Sequence, residues 1–351
     1  MLSDQVIIAA GGTGGHVFPA VCLAQELETR GYGILFATDV RGTKYLGKYQ
    51  SSAVIQKVYT SSRIKLYISL LCGIASALPA LRKMKPRAIV GFGGYPSVPF
   101  VLAAQLLGIK TFIHEQNAVI GKANKLLSKL ATRICISFPG TRGISDCSKA
   151  VCIGNPTRFD AQYGHIEPPK NDVPVVLVFA GSQGARVFSE EVTGALCDIV
   201  NTLKIRVFHQ GRADDVEKIR QAYAQHNVNA TVAPFFENIG ELYSQADLVI
   251  SRSGASSIFE IMGFRKPSVL IPFAKSINGD QLENARFLEK QEAATLVSEA
   301  ELSQRKLSDI VKDLLLSENK RLAMSEKLGQ IRGSYEIDPA KKFADVITET
   351  I

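Results

Sequence analysis

The chain has no tryptophan and no RRM, KH, zinc-finger or helix-turn-helix signature anywhere in its 351 residues. Nucleic acid is therefore not an expected partner. Its six cysteines include no Cys-x-x-Cys pair and mostly sit inside apolar runs, which reads as reduced core residues rather than a disulfide framework or a zinc site. There is no Asp-x-Asp pair, and the five histidines lack ligand-like spacing. No metal and no cofactor is expected. No charged-then-apolar leader precedes the first strand, which favours a cytoplasmic chain. The longest apolar stretch, Leu66 to Leu81, is interrupted by Gly73 and Pro79 and reads as too short to span a bilayer. Low-complexity tracts and coiled-coil or collagen repeats are missing, and 46% hydrophobic with 21% charged residues describes an ordinary globular protein.

The most informative feature is Gly11-Gly12-Thr13-Gly14-Gly15-His16, fed by the apolar run Val6 to Ala10 and followed by a helix-like segment. Strand, glycine turn and helix start together make an anion site. Glycine lets the backbone approach a ligand, and the first helical turn offers free N–H groups and the positive end of a dipole. The P-loop lysine is absent, and Val17 stands where a dinucleotide motif has its third glycine. His16, in or beside the first helical turn, is placed to act as a base toward whatever the glycines hold; a plain capped turn is the alternative. The same grammar returns at Val175 to Ala180 before Gly181-Ser182-Gln183-Gly184-Ala185-Arg186, at Ala88 to Val90 before Gly91 to Tyr95, and at Leu248 to Ile250 before Ser251 to Ala255.

Strands are expected near 5–10, 33–37, 53–58, 88–91, 110–113, 133–137 and 150–153, with helices between most of them. A second series follows near 174–180, 205–209, 229–233, 247–251, 268–272 and 294–297. Short apolar strands alternating with helices predict α/β domains with parallel sheets covered on both faces. We expect a boundary close to Asn155, giving a first domain over 1–155, a second over 156–335 and a terminal helix in 336–351 that packs back on the first. Two doubly wound domains facing a deep cleft suit a ligand with a charged middle, such as a nucleotide diphosphate sugar.

The net charge of +8 points to an anionic partner surface. Arg63 and Lys65 before the apolar stretch, and Arg82, Lys83 and Lys85 after it, suit the headgroup boundary of an anionic leaflet; a helix packed on its own sheet is the alternative. In the second half, Glu260 is a carboxylate able to accept both hydroxyls of a ribose, or else a capping-box partner of Ser257. Gln281 and Asn284 share a helix face suited to sugar hydroxyls or simply to solvent. With no metal, the diphosphate must be met by helix N-termini and arginine, Arg158 and Arg186 being the nearest candidates.

Seven motifs in order, GGTGGHVFPA (11–20), GFGGYPSVP (91–99), HEQNAVIGKANK (114–125), GNPTR (154–158), GSQGAR (181–186), RSGASSIFE (252–260) and DQLENA (280–285), cover nearly the whole chain. Through them the sequence resembles the MurG family, bacterial N-acetylglucosaminyltransferases that glycosylate undecaprenyl-diphospho-muramoyl-pentapeptide, converting lipid I to lipid II in peptidoglycan synthesis. The resemblance implies a metal-independent GT-B glycosyltransferase architecture of two Rossmann-like domains, the first serving the acceptor and the membrane, the second the UDP-sugar. It implies the cytoplasmic face of the inner membrane as location, through an apolar patch ringed by basic residues, and possible cell-wall or division proteins as partners.

Carried over motif by motif, it places Thr13, Gly14, Gly15 and Asn117 at the donor or acceptor site, and Arg158 and Ser182 near the UDP diphosphate. Phe236 aligns with the position that meets uracil through its backbone. Ala255, Ser256, Ser257, Ile258, Phe259 and Glu260 cradle the nucleotide, with Glu260 on the ribose, and Gln281 addresses the N-acetylglucosamine hydroxyls. Gly12, His16, Tyr95 and Glu115 match the acceptor side. Ala180 stands where the family has the first glycine of GGSQGA, and Ser256 to Phe259 replace a Leu-Thr-Val-Ser-like stretch. The implied chemistry is one inverting displacement by the C4 hydroxyl of N-acetylmuramic acid, with His16 as base and Glu115 as second candidate. A related transferase with another lipid or small-molecule acceptor, and a non-catalytic sugar-nucleotide scaffold, are the rival readings.

Overall fold

The apolar runs Val6–Ala10, Ala88–Val90 and Val175–Ala180, each followed by glycine, carry strands of parallel sheets. In a computed structural model, which describes residues 4–55, 63–159, 171–181, 184–335 and 338–351, the chain forms two units. The first comprises Met1–Arg158 and Tyr335–Ile351, the second Phe159–Ser334.

The first unit holds β1 (Gln5–Ala9), α1 (Gly14–Thr29), β2 (Gly33–Thr38), α2 (Val40–Thr43), β3 (Val54–Ile55), α3 (Arg63–Met84), β4 (Ala88–Gly91), α4 (Val98–Leu106), β5 (Lys110–Glu115), α5 (Lys122–Leu127), β6 (Arg133–Ile136) and β7 (Ala150–Cys152). Its seven strands run parallel in the order β3-β2-β1-β4-β5-β6-β7. The order reverses between β1 and β4, the topological switch point at which open α/β sheets bind ligands. Because the pleat alternates, Val6 and Ile8 of β1 join one buried cluster with Val17 and Leu23 of α1, while Ile7 and Ala9 join another with Ala77, Leu81 and Phe100. Burial on both faces is why the strand reads as a continuous apolar run rather than an alternating one.

The second unit holds β8 (Val175–Phe179), α6 (Thr193–Val200), β9 (Arg206–Gln210), α7 (Val216–Gln225), β10 (Asn229–Ala233), α8 (Ile239–Gln245), β11 (Leu248–Ser251), α9 (Ala255–Gly263), β12 (Ser268–Leu270), α10 (Asp280–Glu289), β13 (Thr295–Leu296), α11 (Gln304–Leu316) and α12 (Glu318–Gly333). Its order, β10-β9-β8-β11-β12-β13, repeats the first unit's, with the reversal between β8 and β11.

The α3 helix departs from its sequence reading. It runs unbroken through Gly73 and Pro79, and Ile64–Met84 is long and apolar enough to cross a membrane by length and composition alone. What commits it to this unit is packing, not length: Ser69, Gly73, Ala77 and Leu81 form a buried stripe every four residues. The turns before and around that stripe leave Ile64, Tyr67, Ile68 and Leu71 exposed by 73%, 66%, 55% and 67%.

The last helix, α13 (Pro339–Thr348), completes the first unit's core. Asp338 caps it by accepting from Ala340 N at 2.8 Å. Arg30 at the end of α1 clasps it, donating to Asp345 Oδ1 at 2.6 Å and to Lys341 O at 3.1 Å. Phe343 is fully buried, its ring centroid 5.7 Å from that of Phe92 and 5.5 Å from that of His114. Phe343→Ala is expected to cost the first unit about 3–5 kcal/mol in denaturant unfolding. A loss below about 1 kcal/mol would mean that the helix adds nothing to the core it covers.

Candidate functional site

In the first unit two glycine loops meet backbone to backbone at the switch point. A Cβ on Gly11 would lie 2.7 Å from Pro96, and one on Gly94 3.2 Å from Gly11 O. Gly12 and Gly93 adopt φ of +88° and +86°, open to glycine at little cost. Thr13 is the N-cap of α1 in extended geometry but makes no capping bond. Its Oγ1 instead lies 3.4 Å from His16 Nδ1. The His16 ring packs over Gly93, where a Cβ would come within 3.5 Å of His16 Cδ2 and 3.2 Å of Asn124 Nδ2. Desolvation pushes the His16 pKa down to about 4, with the Asp39 carboxylate pulling it upward. At neutral pH the imidazole is uncharged and carries a lone pair.

Glu115 ends β5 and is 2% exposed. Its Oε1 accepts from Asn117 N (3.0 Å) and Asn117 Nδ2 (3.3 Å), its Oε2 from Gly121 N and Asn124 Nδ2 (both 2.9 Å). Burial raises its pKa and these four donors lower it, burial winning. Three of these hydrogen bonds hold the loop from Asn117 to Gly121 and the fourth ties in Asn124 of α5, so the geometry gives this second candidate base a fastening task. His114 beside it is fully buried, with Nε2 3.3 Å from Gly154 O and Nδ1 3.2 Å from Gln116 Nε2. Tyr95, 36% exposed, opens the short turn before α4. Arg158 lies over the Phe18 ring at 5.0 Å, one turn along α1 from the glycines.

In the second unit the loops after β8 and β11 bracket the switch point. Gly181 and Gly184 have φ of +80° and +63°, and a Cβ on Gly184 would meet the Arg212 backbone N at 3.0 Å. Ser182 lies outside the described residues. Gln210 ties two loops together: its Nε2 donates to Gly181 O at 3.3 Å and its Oε1 accepts from Phe236 N at 3.3 Å. The Phe236 N–H is thus already committed.

The α9 helix starts at Gly254 with no side-chain cap, and the space where a Cβ would stand is open. Its first N–H groups therefore lack a side-chain acceptor, and Ser256 Oγ is buried without a partner among the described residues. Ser257 stands three residues into this helix rather than at its N-cap. That removes the capping-box reading of Glu260. Instead Glu260 Oε2 accepts from Tyr243 OH at 3.2 Å, and Tyr243 stacks on Phe264 with centroids 5.0 Å apart.

A cavity of about 670 Å³ lies between Gly184, Ala185, Arg186, Arg212, Arg252, Phe273, Gln281 and Glu299. Arg252 is anchored in it, 2.6 Å from Glu299 Oε1 and donating to Ile271 O at 2.9 Å. Arg186 is 77% exposed and pairs with Glu190 at 3.0 Å. Gln281 Oε1 accepts from Phe273 N at 3.0 Å, which fixes the amide and leaves its NH2 as the group on offer. Asn284, read with Gln281 as a sugar-facing pair, is instead fully buried and donates to Ser253 O at 3.0 Å.

Residues 6–136 match the glycosyltransferase family 28 N-terminal domain and residues 175–347 the family 28 C-terminal domain. The chain belongs to glycosyltransferase family 28. Among relatives in this family, a protein of Allorhizobium ampelinum is 36% identical over 99% of this chain and 95% of its own length. One of Agrobacterium fabrum is 37% identical over 98% and 94%. Both are named UDP-N-acetylglucosamine–N-acetylmuramyl-(pentapeptide) pyrophosphoryl-undecaprenol N-acetylglucosamine transferase. The crystal structure of Acinetobacter baumannii MurG superposes with a TM-score of 0.81 at 28% identity, covering 99% of each chain. The glycosyltransferase of kitacinnamycin shares the fold at a TM-score of 0.74 and 17% identity.

Asp39, Asn124, Gln210, Tyr243, Arg252 and Glu299 are the structuring residues that sequence reasoning did not single out. Asn124 and Arg252 lay inside quoted motifs; the others carry no local signal. Gly93→Ala tests the close approach under His16: strain at positive φ and the contact with Asn124 are expected to cost about 1–3 kcal/mol. They should also displace the His16 ring resonances in NMR spectra; unchanged resonances and stability would show that the two loops have slack.

Proposed function

We propose that this chain transfers N-acetylglucosamine from UDP-N-acetylglucosamine to the C4 hydroxyl of the N-acetylmuramyl unit of undecaprenyl-diphospho-N-acetylmuramyl-pentapeptide, with inversion. The observation that carries the reading is 36% identity along 99% of the chain to a transferase of that name. The unguarded helix starts after both switch points supply its physical basis.

In this reading the second unit holds the donor. The first N–H groups of α9, with Ser182 and Arg158, meet the diphosphate and take up its charge as UDP leaves. Ala255 to Phe259 line the nucleotide, Glu260 accepts from the ribose and Tyr243 orients it. Phe236 meets the base through its carbonyl, since its N–H is engaged by Gln210. Gln281 donates from its NH2 to the sugar. In the first unit Thr13, Gly14, Gly15 and Asn117 belong to the donor or acceptor site, Gly12 and Tyr95 serve the acceptor, and His16 takes the hydroxyl proton. In the tautomer that donates Nδ1–H to Thr13 Oγ1, His16 Nε2 carries the accepting lone pair. Glu115 keeps the loop beneath them in place.

The acceptor's lipid requires a membrane surface, and we place the chain peripherally on the cytoplasmic face of the inner membrane. Ile64, Tyr67, Ile68 and Leu71 follow the i, i+3, i+4, i+7 spacing of one helix stripe. The α3 helix ends at the N-terminal edge of the sheet, just before β4, and at ~1.5 Å per residue reaches back about 33 Å toward the edge that carries the glycine turns. Buried in the headgroup boundary, such a stripe anchors an enzyme whose site opens beside it. Lys65, Arg82, Lys83 and Lys85 add about 1 kcal/mol each near an anionic leaflet, screened by salt.

Radiolabel transfer from UDP-N-acetylglucosamine to a short-chain acceptor analogue tests the activity. His16→Ala should lower kcat by about 10²–10⁴ with UDP binding nearly intact, because a general base acts only in the transition state. Glu260→Ala should instead raise the donor Kd at least about tenfold, the loss of one or more charge-assisted hydrogen bonds. Exchange of these two phenotypes would reverse the assignment of roles.

Binding to anionic liposomes should fall but not vanish at high salt, and charge reversal of Arg82, Lys83 and Lys85 should weaken it. Polar replacement of Ile64, Tyr67, Ile68 and Leu71 should remove the salt-resistant remainder without altering UDP affinity. Wild-type protein that floats free of such vesicles at low salt would refute this anchor.

A further inference from the structure

Asp39 follows β2 and is 7% exposed. Nothing in its sequence surroundings marks it as functional. Yet its carboxylate is the point at which the first glycine turn is fastened to the sheet. Oδ1 accepts from Gly12 N and from Gly42 N, both at 2.9 Å, and Oδ2 lies 2.8 Å from both Nε and Nη2 of Arg41. The Arg41 guanidinium in turn lies over the turn itself, 3.6 Å from where a Gly12 Cβ would stand. Gly42 has no room for a side chain, since a Cβ there would lie 2.2 Å from Thr38 Oγ1. The clamp is therefore built on both sides. Gly12, whose N–H it holds, is at φ +88° and four residues from His16.

We infer that Asp39 is a positioning residue for His16: it holds the turn from which α1 starts and presents a fixed negative charge to the imidazole ring. The inference rests on the reading of His16 as base. A base must be held within hydrogen-bond reach, about 2.6–3.2 Å, of the group whose proton it takes, and among the described residues the Asp39 carboxylate is the side-chain anchor of Gly12, at the head of the chain leading to His16. The charge acts in the direction catalysis needs, because a carboxylate near an imidazole favours the imidazolium that forms as the hydroxyl proton is taken.

Four other charged or titratable groups lie on the elements around the turn. Arg41 offsets part of the Asp39 charge. His114, on β5, is held neutral by burial, with a pKa lowered to about 3. Glu115, also on β5, is bound by its own four donors, and Arg158 lies over Phe18 on the next turn of α1. Asp39 is the one among them that raises the His16 pKa.

Asp39→Asn and Asp39→Ala separate the two tasks. The amide keeps an oxygen for Gly12 and Gly42 but loses the charge. It should lower the His16 pKa, read from its ring resonances, and reduce kcat about 3–10-fold, with KM for donor and acceptor within about twofold. The alanine variant also frees the turn, and kcat should fall about 10²-fold. Arg41→Gln removes the offsetting cation and should move the His16 pKa the opposite way, upward, bringing the acid limb of the kcat/KM profile toward neutral pH.

A clamp with no electrostatic task would give unchanged His16 titration in Asp39→Asn and Arg41→Gln, and would overturn the inference. Equal kcat in wild type and Asp39→Ala would overturn it as well. His16→Ala, measured alongside, isolates the underlying reading: full turnover there refutes the base, whatever the Asp39 variants do to the titration of His16.

Discussion

Twice among the described residues a parallel strand runs into a glycine-bearing loop and a helix begins with its first N–H groups lacking a side-chain acceptor, at the point where the strand order reverses. A backbone donor left without a partner away from water is costly. Neither α1 nor α9 covers its own start: Thr13 turns its hydroxyl toward His16, and Gly254 has no side chain to offer. The fold holds these donors open, and much of what surrounds them fixes where they point. Asp39 fastens the first turn, and Gln210 fastens the 181–184 loop to the segment carrying Phe236. In both units the fastening group is a side chain that spans from a neighbouring strand's end.

That geometry explains what was legible in the sequence. Val6 to Ala10 and Val175 to Ala180 announce strands because burial on both faces demands uninterrupted apolar residues, and the glycines after them announce turns because other residues resist φ near +85°. These are local constraints, so the strands they mark and the α/β class follow from them. The fasteners are not local. Asp39 meets Gly12 through the parallel register of β1 and β2, Tyr243 meets Glu260 across two helices, and Phe343 reaches a core formed some 200 residues earlier. Only the folded topology makes them neighbours.

Two misreadings share one cause. Ser257 and Glu260 have capping-box spacing, and Gln281 and Asn284 have the spacing of a common helix face; both patterns are real. In the first, the helix begins three residues earlier than the pattern supposes, at Gly254. In the second, the face that holds both amides is itself split, Asn284 turning inward to Ser253 while Gln281 stays at the cavity. Periodicity gives the angle of a side chain about its helix but not what lies beyond it. The α3 helix makes the same point in reverse, since its composition alone passes for a membrane span and its buried stripe every four residues shows otherwise.

The chain passes from the first unit to the second after Arg158 and returns at Tyr335, so the second unit is an insertion within the first. Synthesis on a ribosome runs from one end, so α13 is made only after the whole second unit. Until they emerge, Phe92 and His114 lack the aromatic neighbour that covers them, and Arg30 lacks its carboxylate. The unit begun first is thus finished last. A nascent chain therefore carries an incomplete first unit, with Phe92 and His114 still uncovered by Phe343, throughout the translation of the second.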